Sequence, residues 1–254
     1  MNHLMPNTLR SAHQRQLGFT LIELMIAILI ALFLIGGLLM MVQSTRNAFG
    51  TQTQLAQLQD NERLVMTFMA EVIESAGYFP SPDKNINTTV MPVAGVFAAS
   101  GQAVFGTHAA AAPGDKITVR YGAGLNDNIF NCLGTTNTTV ANYDTFVNKF
   151  WVNNANANNP ILTCTFSSNV TAAVDVPLVN GVTNLQIQYG IKRNLTDTGS
   201  CADTYLKANQ MAAADWSSVC TIKLQVTFTN PIIKANPITI TRVIAVMNSA
   251  GANS

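Results

Sequence analysis

From residue 24 to residue 42 the chain is continuously apolar, nineteen residues in all, and no charge appears before Arg46. A helix of that length crosses a bilayer core of about 30 Å. The residues ahead of it carry Arg10, Arg15, His3 and His13 and no acid until Glu23. That asymmetry puts the N-terminus in the cytoplasm and the bulk of the chain beyond the membrane. Helical spacing continues past the apolar run. Leu55, Leu58, Val65, Met69, Val72 and Ala76 recur three, four or seven apart and form one stripe, with Asp60, Glu62, Arg63, Glu71 and Glu74 mostly on the other faces. Gly77 stops the helix, and Pro80 and Pro82 forbid its continuation. The stripe predicts a helix face laid on a sheet; a coiled-coil stalk would show the same spacing.

After residue 78 the period changes to two. Leu185, Ile187, Tyr189 and Ile191 alternate with polar residues, as do Ile222, Leu224, Val226 and Phe228, and 238–247 is rich in β-branched residues. An antiparallel meander of these three strands, packed on the amphipathic half of the helix, gives an α+β head with one core. Between the helix and the meander, 90–97, 116–121 and 161–166 are the better strand candidates. Asn/Thr-rich stretches such as 153–159 read as loops.

Composition narrows the function classes. Charged residues are 11% of the 254, well below the roughly 25% of an ordinary soluble domain, so Asn, Thr, Ser and Gln must supply the polar surface. That is the habit of an exported protein. The net charge is +1 and no basic run occurs, so direct nucleic-acid binding through phosphate neutralisation is not expected. Four cysteines, Cys132, Cys164, Cys201 and Cys220, lie at wide spacing beyond the apolar run. They read as two disulfides in an oxidising compartment, against the alternative of four buried thiols. Of the three connectivities, pairing of neighbours in sequence is the one we expect.

The junction before the apolar run distinguishes a plain anchor from a processed leader. It reads Arg15-Gln16-Leu17-Gly18-Phe19-Thr20-Leu21-Ile22-Glu23, and the string GFTLIELMIA closely resembles the type IV prepilin signal. The resemblance implies a cut between Gly18 and Phe19 by the prepilin peptidase, N-methylation of Phe19, and an assembly role for Glu23. A carboxylate at the start of a membrane helix costs about 2–4 kcal/mol unless paired. In the family its partner is the amino group of Phe19 on a neighbouring subunit, which sets axial register; the alternative is an interfacial acid marking the membrane boundary. Major pilins carry Pro at the twenty-second mature position, where this chain has Met40, and the nearest soft points are Gly36 and Gly37. That departure favours a minor component over an abundant shaft subunit.

Side chains that could carry catalytic chemistry are few. His108 is the one histidine after Gly18, and no zinc-protease, nucleophile-elbow, P-loop or dinucleotide motif occurs. We therefore expect no catalytic residues, no metal and no cofactor, and no enzyme. His108 reads as a solvated loop residue, Asp197 and Asp203 as a surface turn in preference to a calcium site, and Lys192-Arg193 as solvated charge.

The rest of the chain resembles PilW-type minor pilins through LQDNERLVMTFMAEVIESAGYF at 58–79, VNGVTNLQIQYGI at 179–191 and the final strand with Arg242. The resemblance implies a pilin fold divided into a leader (1–18), a long helix (19–77, with 19–42 in the membrane and 43–77 amphipathic) and a β-rich, disulfide-bonded head (78–254). It implies partners: other minor pilins, the major pilin, the prepilin peptidase and the inner-membrane pilus assembly platform. The head would lie in the periplasm before assembly, and the protein at the pilus tip on the cell surface afterwards. The function implied is priming of pilus assembly. Two alternatives stay open, a minor pseudopilin of type II secretion and a tip module that binds a ligand.

Overall fold

A computed structural model describes residues 18–194, 201–233 and 235–246. The chain divides into two compact units, residues 1–53 and 54–254. Helix α1 (Leu21–Glu74) begins in the first and ends in the second.

In the first unit the helix start is set by Thr20. Its Oγ1 accepts the amide of Glu23 at 3.3 Å and its carbonyl accepts the amide of Leu24 at 3.2 Å. Thr at the cap with Glu three residues on is a helix-start pattern, and the acid also suits the positive end of the helix dipole. Beyond it the apolar side chains point outward, Ile22, Phe33 and Leu39 among them, and Gly36 and Gly37 have no atom within 4 Å of where a Cβ would stand. By length and composition this helix can cross a membrane.

In the second unit the end of α1 buries Leu58, Val65, Met66, Met69, Ala70, Val72 and Ile73, a broader face than the stripe alone predicts. Gly77 ends the helix with a φ of +80° and sends its amide to the carbonyl of Arg120 at 3.0 Å. An L side chain resists that conformation, so glycine is required here.

Two antiparallel sheets follow. The first is a five-stranded meander of β1 (Val104–Thr107), β2 (Lys116–Gly124), β3 (Tyr143–Asn153), β4 (Ile161–Ser167) and β5 (Val174–Asn180), in chain order. The second contains β6 (Val182–Ile191), β7 (Thr204–Leu206), β8 (Thr221–Phe228) and β9 (Ile238–Ala245), ordered β7-β6-β8-β9. Gly181, with a φ of +82°, is the only residue between β5 and β6, so the chain changes sheets in one step.

The α+β class expected from the sequence holds, and β6, β8 and β9 are the three terminal strands. β6 and β8 bury the alternating residues that the pattern named. β9 ends at Ala245, and Met247 lies outside the described residues. The meander of three is one part of the head; the five-stranded sheet is the larger part and was expected only in pieces. The expected strand at 90–97 is instead the end of a one-turn helix, α2 (Asn87–Val90), followed by turns with one isolated bridge between Ala94 and Phe97. Pro92 removes a ladder donor there, and the carbonyls of Met91 and Pro92 are turned toward Arg120.

Both sheets and the end of α1 feed one core. Val65, Phe68 and Met69 border a cleft of about 120 Å³ with Leu162, Leu178 and Val179. From the other sheet Arg242 reaches the carbonyl of Met66 at 3.2 Å. The sheets are joined at Asp115, whose amide donates to Leu185 O at 2.6 Å and whose Oδ2 accepts the amide of Ile187 at 2.7 Å.

Candidate functional site

The Gly18–Phe19 bond lies ahead of the first helical turn. Gly18 is exposed with open space around its Cα, and Phe19 is 83% exposed. Glu23 sits one turn further on, exposed, its amide held by Thr20. Residues 1–17 lie outside the described residues. The sequence reading missed the role of Thr20, although the T-x-x-E spacing carries it. Gly18, Phe19, Thr20 and Glu23 thus form one accessible segment at the head of an apolar helix.

In the head the disulfides join Cys132 to Cys164 and Cys201 to Cys220. The first ties the loop after β2 to the middle of β4. The second ties the segment before β7 to the residue before β8.

His108 corrects its expectation. Its side chain is 8% exposed and Nδ1 lies 2.7 Å from Oδ1 of Asp115, which also accepts the amide of Ala109 at 2.9 Å. A lone His in an Ala-rich loop gave no sign of this partner, because Asp115 is brought to it by a tight reversal at 109–114. The pair braces the sheet junction.

Among the described residues three donors make four hydrogen bonds to Asp203: the Oγ1 of its neighbour Thr204 at 2.7 Å, the amide of Arg193 at 3.1 Å to both oxygens, and the amide of Asn194 at 2.6 Å. The Thr204 hydroxyl and then these amides hold its carboxyl below the ordinary value of 3.8. Asp197 lies outside the described residues, and among those described no group of three or more His, Cys, Asp or Glu could hold a metal. Arg193, expected to be solvated, pairs with Asp215 at 3.1 Å.

Arg120 is the least expected group. It is 1% exposed, yet among the described residues it has no carboxylate partner. Nε donates to Gln102 O at 2.6 Å, Nη2 to Met91 O and Ala99 O at 3.2 Å each, and Nη1 to Pro92 O. Phe97 stacks beneath it, 4.1 Å from the ring centroid. Burial pushes its pKa down to about 10.

An exposed apolar helix opening on this Gly-Phe-Thr-Leu-Ile-Glu segment, with a disulfide-bonded antiparallel head, is the build of a pilin-like protein. Residues 13–39 match the family model described as the prokaryotic N-terminal methylation motif, and residues 149–238 match Type IV Pilus-assembly protein W. The second match runs from the end of β3 into the start of β9. It therefore takes in 149–175, where the sequence strings showed no likeness. Together the two matches support a type IV pilin-like minor pilin. No curated protein and no solved structure matches the chain.

Proposed function

We propose that this chain is a minor pilin that helps to prime type IV pilus assembly in the inner membrane, as part of a complex of minor pilins that stays at the pilus tip. Its action is assembly and involves no reaction of its own. In this reading residues 1–18 are a leader removed by the prepilin peptidase, and Phe19 becomes the N-methylated first residue. Residues 19–42 hold the chain in the membrane with the head, 78–254, in the periplasm. Glu23 pairs with the amino group of Phe19 on a neighbouring subunit, neutralising two charges that an apolar bundle would otherwise leave unpaired. The observation that carries the reading is the joint presence, in one chain, of the prepilin junction and the PilW match.

The head's edges supply a surface for neighbouring minor pilins. β1 has four residues, β7 three, and β5 carries Pro177, with a bulge in its pairing to β4. Each is a device that blunts an edge. β9 has none of them: eight residues pair with β8 in unbroken register, and Thr239, Thr241 and Val243 are exposed. Such an edge suits an added strand. Contacts with the major pilin and the inner-membrane assembly platform follow through the helix.

Deleting the gene and measuring surface pili together with type II secretion tests the reading. Loss of pili with secretion intact is the expected result. Normal piliation with an export defect would instead indicate a minor pseudopilin.

A further inference from the structure

The face of the five-stranded sheet turned away from the core carries a groove of about 400 Å³ between the strands and the 92–97 turns. Its floor is fixed by register. Thr118, Lys149 and Thr165 form one row across β2, β3 and β4; Arg120, Val147 and Ser167 form the next. All six line the groove, and no carboxylate does. Beside the first row Trp151 stands with Lys116 and Lys149 over its ring at 5.5 and 5.8 Å, and its Nε1 donates to Thr165 Oγ1 at 3.0 Å. Two acids accept hydrogen bonds from groove residues: Asp175 from Thr165 at 2.6 Å and Asp144 from the amide of Asn169 at 3.0 Å.

Arg120 is the anomaly that gives this groove a ligand class. Buried charges are normally paired. Among the described residues the ion pairs are His108–Asp115 and Arg193–Asp215, so this guanidinium has carbonyl dipoles and a ring but no counter-ion. A guanidinium has five N–H donors; four are spent on carbonyls. The groove above it is cationic, rich in hydroxyls and next to an indole, and it falls in the size range of small-ligand sites, about 300–1,000 Å³.

We propose that this groove binds an acidic saccharide, its carboxylate lying near Lys149 and Arg120 and its hydroxyls meeting Thr118 and Ser167. A nucleic-acid strand fits less well, because it needs cations tracking successive phosphates and several aromatic faces. An acidic peptide would be read along a sheet edge, and this groove lies on a sheet face. The site does not depend on the assembly reading above.

The test uses the full-length protein in detergent micelles and isothermal titration with tetragalacturonate, neutral maltotetraose and an oligothymidylate. Saturable binding of tetragalacturonate is expected, weakened about tenfold or more by Lys149→Ala and weakened by added salt. Maltotetraose should bind at least about tenfold more weakly. Thr118→Val, which leaves both cations in place, should lower affinity without changing the salt dependence. Thermal melts confirm that each variant is folded. No saturable binding at millimolar tetragalacturonate, affinity unchanged in Lys149→Ala, equal binding of maltotetraose, or tighter binding of the oligothymidylate would each overturn the proposal.

Discussion

Arg242 on β9 donates from Nη1 to the backbone carbonyl of Met66 on α1, 3.2 Å away across 176 positions of sequence. The bond ties the last strand of the head to the helix segment whose buried face supplies the core. It also keeps the one charge of β9 directed at the helix.

Replacing Arg242 by Ala therefore removes a charged donor while leaving an acceptor that still serves the helix. The loss should be about 1 kcal/mol, since the residue is exposed and the carbonyl is not orphaned. Urea denaturation of the purified protein measures it.

Ile73 and Met69 are fully buried on the face that α1 turns to the head. Ile73→Ala should cost about 2–5 kcal/mol through lost transfer energy and the cavity left behind. Leu64→Ala, at a residue 55% exposed on the same helix, should cost much less. Equal losses at the two positions would contradict the packing described.

The Cys132–Cys164 bond closes a separation of 32 residues and Cys201–Cys220 one of 19. In the chain-entropy account each constrains the unfolded state by roughly 3–4 kcal/mol. Cys132→Ser with Cys164→Ser should lower the thermal midpoint by more than reduction of the remaining Cys201–Cys220 bond then lowers it in that variant. Calorimetry with and without reductant compares them.

Asp203 gives a pH dependence with a definite sign. Its folded pKa is depressed, so its contribution is present above the unfolded value of 3.8 and is lost as pH falls through the folded value. Stability should thus fall in acid below that range, and Asp203→Asn should flatten the fall. Melting curves from pH 2 upward, wild type against variant, read the difference as a change of slope.

Much of this could be read in advance, for local reasons. β6 and β8 alternate cleanly because one face meets the core and the other solvent. The end of α1 is legible because its apolar residues keep a helical period against a single packed surface. β3 was not legible: Asp144, Thr145 and Asn148 are buried among its apolar residues, so its pattern does not alternate. Thr145 donates to Val90 O at 2.9 Å and Asn148 Oδ1 accepts the amide of Cys132 at 2.9 Å, both far away in the chain. No window of sequence contains such partners. The same holds for His108 with Asp115. The cationic groove was half visible, since Lys116, Thr118 and Arg120 share one face of any strand through 116–121. Its other half needed the register of β3 and β4.

The string from Gly18 to Glu23 could be read directly, because it lies in adjacent residues, and it falls inside the 13–39 match to the N-terminal methylation motif. The most direct test of the central proposal is the number of surface pili when a deletion strain is complemented with Glu23→Ala at wild-type protein level. We predict that piliation stays near the deletion level while wild-type protein restores it. Full restoration by Glu23→Ala would contradict the pairing of Glu23 with a neighbouring Phe19 and the account of assembly built on it.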